Sequence, residues 1–218
     1  MKRFIPVLVL LAVLAAPGAS ANDAAYEKAL KLVQQAQFDK AVAIFKPMAE
    51  NGHPPSQFSM GLMYHLGRNV EKDLAVAYDW YKKAVLQDYA PALNNMGMMY
   101  LKGEYVAENK VIARKLFETA SADHTQARDN YAKCLEYGWG GEQDIGQAIN
   151  FYQIAGEGGY VLGWHHLAQI YDQGRPPEVP RDEDKAVRWY IAAAEKNFAR
   201  SIERLKQLGR LPDHLKDK

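Results

Sequence analysis

A single cysteine, Cys134, occurs in the 218 residues, so no disulfide can close within the chain. Tyr131 and Leu135 flank it within a helical pattern, and it reads as a small buried apolar residue. Beyond residue 16 no apolar run approaches the ~20 residues that cross a bilayer. Neither sign of charge prevails: 27 Lys and Arg stand against 26 Asp and Glu. That balance excludes the bulk basic field that collects nucleic acid or anionic lipid. Signatures of catalysis are missing too. There is no Gly-x-Ser-x-Gly elbow, and the glycine-rich "GWGGEQDIG" at 138–146 lacks the Lys-Ser/Thr ending of a phosphate loop. The histidines offer no i, i+4 pair with a positioned acid. His165 and His166 are adjacent, about 100° apart on a helix, and read as exposed surface histidines. No catalytic residue, metal or cofactor is expected.

What is present begins with a leader. Lys2 and Arg3 precede the apolar run Phe4 to Ala16, Pro17 and Gly18 break it, and Ala19-Ser20-Ala21 offers a peptidase site. Residues 1–21 therefore read as a secretory signal peptide with Asn22 as the new N-terminus. Its removal leaves 25 basic against 26 acidic residues and implies a periplasmic or secreted protein, with no membrane insertion afterwards.

The remainder is written as a repeat. "MGLMYHLG" at position 60 returns as "MGMMYLKG" at 96. Small residues open each copy at Ser56, Ala92, Ala127, Gly163 and Ser201, separated by 36, 35, 36 and 38 residues. In step with the first four come Gly61, Gly97, Ala132 and Ala168, then Tyr64, Tyr100, Leu135 and Tyr171, then Gly67, Gly103, Gly138 and Gly174. After a loop follow Asp73, Asn109, Asp144 and Asp182, then Ala77, Ala113, Ala148 and Ala186. Aromatics come next at Tyr81, Phe117, Tyr152 and Tyr190, and Ala84, Ala120, Ala155 and Ala193 close the unit. The spacing predicts two helices per copy, the first ended by glycine and the second started by an Asp or Asn cap. Neither helix covers its apolar face until the next unit stacks on it.

The expected fold is all-α, a right-handed α-solenoid of stacked helix–turn–helix repeats. Residues 22–52 form an N-terminal tetratricopeptide-like capping hairpin and 53–197 hold four repeats. Residues 198–218 supply a capping helix (Ile202, Leu205 and Leu208) and a polar, frayed tail "DHLKDK". The stretches "YDWYKKAVLQDYAPALNNMGMMYLKGEYVAEN" and "AVRWYIAAAEKNFARS" resemble the Sel1-like repeat, a branch of the tetratricopeptide superfamily. Leu135 and Gly141 in the third copy, and the longer fourth loop "GRPPEVPRD", depart from its pattern. The resemblance implies a binding scaffold engaged in envelope tasks such as assembling complexes, regulating signalling proteins or meeting a host. A cysteine-rich, penicillin-binding subgroup is not matched by a chain with only Cys134.

In such a solenoid the first helices line the concave side, which receives peptides. The pairs Asn94-Asn95, Asp129-Asn130 and His165-His166 fall there, out of phase with the core, as a polar ladder suited to a peptide backbone. Trp164 and Trp139 interrupt the repeat and read as aromatic anchors, whereas Trp80-Tyr81 and Trp189-Tyr190 recur in register and read as core. On this reading alanine at Asn94, Asn95, Asn130 and His166 abolishes partner capture and spares stability. The rival reading is a cell-envelope carbohydrate-binding or -modifying protein acting on peptidoglycan, with Trp139, Trp164, Asp129, Asp172 and Glu136 holding sugars.

Overall fold

The computed structural model describes residues 21–216; the expected signal peptide, apart from Ala21, lies outside them. Eleven α-helices follow one another among the described residues. They are α1 (Ala21–Gln34), α2 (Phe38–Glu50), α3 (Pro54–Leu66), α4 (Leu74–Val85), α5 (Ala90–Lys102), α6 (Lys110–Ala120), α7 (Thr125–Tyr137), α8 (Ile145–Glu157), α9 (Leu162–Gln173), α10 (Glu183–Glu195) and α11 (Ala199–Gln207). Each packs on its neighbours in the chain, giving a right-handed α-solenoid of stacked hairpins.

The repeated residues do what their chemistry requires. Gly67, Gly103 and Gly138 end α3, α5 and α7 in the left-handed conformation. The side chains of Asp73, Asn109, Asp144 and Asp182 accept hydrogen bonds from the first amides of α4, α6, α8 and α10. Helix α7 is capped instead by His124, whose Nδ1 accepts from the Ala127 amide at 3.2 Å. Gly61 and Gly97 allow close approach: a Cβ there would lie 2.5 Å from the Tyr81 ring and 2.7 Å from the Phe117 ring. The second helix thus lays its aromatic directly on the first.

Tyr81, Phe117, Tyr152 and Tyr190 are buried with their flanking alanines. Tyr64, Tyr100, Tyr171, Trp80 and Trp189 are half-buried against the same core clusters. One cluster draws Phe117 from α6, Leu135 and the buried Cys134 from α7, Tyr152 from α8 and Leu167 from α9. No hairpin therefore owns its core. As far as Lys216 the C-terminal tail corrects the expectation of fraying; Asp217 and Lys218 lie outside the described residues. Asp213–Leu215 forms a 3₁₀ turn that buries Leu215 beside Leu205 and Tyr190, and Arg210 donates to Asp184 at 2.9 Å. Leu208, Leu211 and Leu215 pack there against α10 and α11.

Candidate functional site

From α5 onward, successive odd-numbered helices are bonded directly to one another. Asn130 Nδ2 donates to Asn94 Oδ1 at 2.8 Å, joining α7 to α5. His166 Nδ1 lies 2.6 Å from Asp129 Oδ1, joining α9 to α7, while Lys133 Nζ donates to the other Asp129 oxygen at 2.7 Å. His165 Nδ1 lies 2.9 Å from Ser201 Oγ, joining α11 to α9. The polar ladder exists, but it faces the neighbouring repeat. Asn94, Asp129, Asn130 and His165 are buried, and Asn95 and His166 are half-buried. The reading of His165 as a surface histidine is thereby overturned. Where helices converge, side chains one step off the core stripe are enclosed, and a buried polar group must find a partner.

The expectation that alanine here spares stability is reversed as well. Asn130→Leu leaves the Asn94 carbonyl without its donor and should cost about 1–2 kcal/mol. Asn94→Leu/Asn130→Leu should cost less than the sum of the two single changes. Denaturant unfolding of the four species checks this.

The two tryptophans also belong to the packing. Trp164 follows its repeat's opener, where the other copies have Gln57, Leu93 and Arg128. Those with polar heads close the preceding helix: Gln57 Nε2 donates to the Ala49 carbonyl at 3.2 Å, and Arg128 Nε to the Ser121 carbonyl at 2.7 Å. Trp164 instead lays its indole on Gly156 at the end of α8. Trp139 stacks on Tyr137 with ring centroids 5.1 Å apart and packs against the central core.

A further coordinated position, nine residues after the opener, escaped the sequence reading in part. It holds His65, Leu101, Glu136 and Asp172. Each meets the aromatic of its own second helix. Tyr152 donates to Glu136 at 2.7 Å and Tyr190 to Asp172 at 3.2 Å, while Tyr81 Oη lies 3.3 Å from His65 Nδ1. Where the aromatic is Phe117, the partner is Leu101. The next unit completes each pair: Arg175 Nε donates to Glu136 at 3.0 Å, and Arg204 bonds both Asp172 oxygens at 2.7 and 3.0 Å. Arg204 holds the Asp172 carboxyl below its ordinary range, and burial pushes the Tyr152 hydroxyl far upward.

Positions six and ten after the opener lie away from the buried stripe of the odd helices, although Leu62 and Met98 still pack against core clusters. The first row reads Leu62, Met98, Lys133 and Gln169, all half-buried; the second reads Leu66, Lys102, Tyr137 and Gln173, all exposed. Sequence reasoning passed over both rows because they lack a motif; their signal is that they change from copy to copy while the core does not. The face is apolar at its start and amide-rich at its end. There α9 and α11 flank a groove of about 550 Å³ lined by Gln169, Gln173, Arg200, Glu203 and Gln207.

The Sel1 repeat family model matches residues 54–89, 90–123, 125–160 and 165–198. The chain belongs to the Sel1 repeat family. A Sel1 repeat protein from Oxalobacter formigenes has a similar crystal structure, with a TM-score of 0.73 and 28% identity over 81% of this chain and 70% of that one. A protective antigen of uropathogenic Escherichia coli strains, which displays the same repeat fold, gives a TM-score of 0.69 and 25% identity over 86% of this chain and 41% of its own. Chitin synthase regulatory factor 2 of Schizosaccharomyces pombe is 32% identical over 118 residues, 51% of this chain and 23% of its own length. The chain spans less than a third of the length of the curated relatives it matches.

Sel1 repeats are generally protein-interaction scaffolds without catalysis, and in this Sel1 repeat protein the buried acids Glu136 and Asp172 are held by Tyr152, Tyr190, Arg175 and Arg204. No cluster of His, Cys, Asp or Glu among the described residues could hold a metal ion. None of the described helices is long and apolar enough to cross a membrane.

Two histidines make the repeat stack pH-sensitive. Burial, then Arg128, holds His124 down at about 4, and burial, then His166 and Arg200, holds His165 at about 4. A lowered folded pKa means that the unfolded chain binds the extra proton first. The associated stability is therefore present above the ordinary value near 6.5 and is lost as pH falls toward 4. Going from pH 7.5 to 4.5 should remove about 2 kcal/mol per histidine, after discounting the share of each ring that water reaches. His124→Asn keeps a capping side chain and, with His165→Gln, should flatten the profile of melting temperature against pH.

Proposed function

We propose that the chain is an exported, non-catalytic adaptor that holds a protein or peptide partner against the inner face of its odd-numbered helices. The observation that carries this reading is the pair of open rows. The small and aromatic core positions keep one chemistry through four copies, whereas the outward rows run from Leu62 and Leu66 through Met98 and Tyr137 to Gln169 and Gln173. Such variation at exposed positions suits recognition of one particular partner. Export rests on the basic start, apolar run and small-residue site of residues 1–21. The carbohydrate reading finds no support in the geometry, since Asp129, Glu136 and Asp172 are each bonded within the protein.

Leu66→Asp/Tyr137→Ala should keep the melting temperature within a few degrees while reducing capture of the partner from native envelope extract about tenfold. The outer-side changes Leu86→Asp and Ile154→Asp, also at exposed sites, should leave capture intact. Undiminished capture by the inner-face variant would reject the reading. Fractionation of the producing cell tests the address: retention in the cytoplasm would refute export.

A further inference from the structure

The groove between α9 and α11 holds chemistry that the packing does not use. His165, 6% exposed, lines it, and with Nδ1 taken by Ser201 its Nε2 has no hydrogen-bond partner among the described residues. Gln169 and Gln173 stand four residues apart on α9, a rise of about 6 Å. That approaches the ~6.8 Å between alternate residues of an extended strand. An amide side chain both donates and accepts, so two at this spacing fit successive N–H and C=O groups of one extended backbone. Gln173 makes only a surface bond, to Arg175 at 3.2 Å, and Gln207 only surface bonds of 3.3 Å, to Glu203 and Arg204.

The charges in the groove are unequal. Arg204 is committed to Asp172, and Glu203 accepts from Gln207. Arg200, which precedes the Ser201 that meets His165, lines the groove and is in no ion pair among the described residues. From Arg200 to Gln207 α11 rises about 10 Å, the length of roughly three extended residues.

We infer that this groove seats a short extended peptide segment with an acidic side chain, the acid meeting Arg200 and the backbone running between the glutamines. This deepens the adaptor reading and rests on the inner face being the docking face. The carboxylate is a side chain and not a chain end.

A phage-displayed library of random dodecapeptides, fused so that no free C-terminus is offered, is selected on the purified protein. Enriched peptides should share an Asp or Glu. One of them, resynthesised with a fluorescein label, should bind about tenfold more weakly to Arg200→Glu. The same loss should follow when its acid is replaced by the amide, whereas the outer-side Leu86→Asp should leave its affinity within about twofold. Enriched peptides without an acid, affinities indifferent to Arg200→Glu, or a selection that enriches nothing would overturn the inference. Native partner capture lost in Leu66→Asp/Tyr137→Ala but untouched by Arg200→Glu would overturn it too, while leaving the adaptor reading standing.

Discussion

Glu136→Leu should destabilise the protein by about 3 kcal/mol and partly uncouple the last two hairpins from the rest. Glu136 is 3% exposed and is the acceptor for both the Tyr152 hydroxyl and the Arg175 guanidinium. Leucine would leave a buried hydroxyl and a largely enclosed cation without a partner. That costs more than the intact pair contributes, because the desolvation of the survivors is no longer offset. The chain also carries its own remedy. At the equivalent places one repeat earlier stand Leu101 and Phe117, and the next loop brings Trp139 where the following copy has Arg175. All three pack against one apolar cluster. Glu136→Leu/Tyr152→Phe/Arg175→Trp should therefore recover most of the loss. Guanidinium unfolding followed by circular dichroism distinguishes the outcomes: a single-mutant loss below 1 kcal/mol, or a triple mutant no better than the single, would contradict the equivalence of the two sets.

The same trio shows what the sequence made legible. Helix boundaries, caps and the alternation of small and aromatic core residues repeat four times, so periodicity alone placed them. Position nine after the opener does not repeat in type. Its rule is that Leu101 goes with Phe117 and an acid goes with Tyr152 or Tyr190, a correlation between residues 16 to 18 apart that becomes visible only once the hairpin is folded. The polar ladder was found but assigned to the wrong neighbour. Asn94, Asn130 and His165 are hydrophilic and off the core stripe, and those properties fit solvent or a peptide as well as an adjacent helix. How closely neighbouring first helices approach decides the matter, and that distance is a property of the stack rather than of any one helix. A lone leucine in "DHLKDK" carries no periodic signal of burial, yet Leu215 is buried against Leu205 and Tyr190.

Gly156→Ala is the second substitution with a large expected effect, about 2–3 kcal/mol, although alanine favours helices over glycine by ~1 kcal/mol. A Cβ at Gly156 would lie 2.2 Å from Cδ1 and 2.4 Å from Nε1 of Trp164. The ring has little room to retreat, since its Nε1 is fully enclosed and has no hydrogen-bond partner. Alanine stands at the corresponding end of the second helix at Ala49 and Ala194, and the residue after the opener is large and aromatic only here. The glycine and the tryptophan thus form a compensating pair. Gln57 shows what the site accepts without it, an amide that reaches the Ala49 carbonyl at 3.2 Å. Trp164→Gln in the Gly156→Ala background should restore stability toward that of Trp164→Gln alone, giving a coupling energy of at least ~1 kcal/mol in the double-mutant cycle. Because the indole packs on its own solenoid, Trp164→Gln should also leave partner capture unchanged. A neutral Gly156→Ala, or capture lost with Trp164→Gln while the melting temperature holds, would return Trp164 to the list of binding residues.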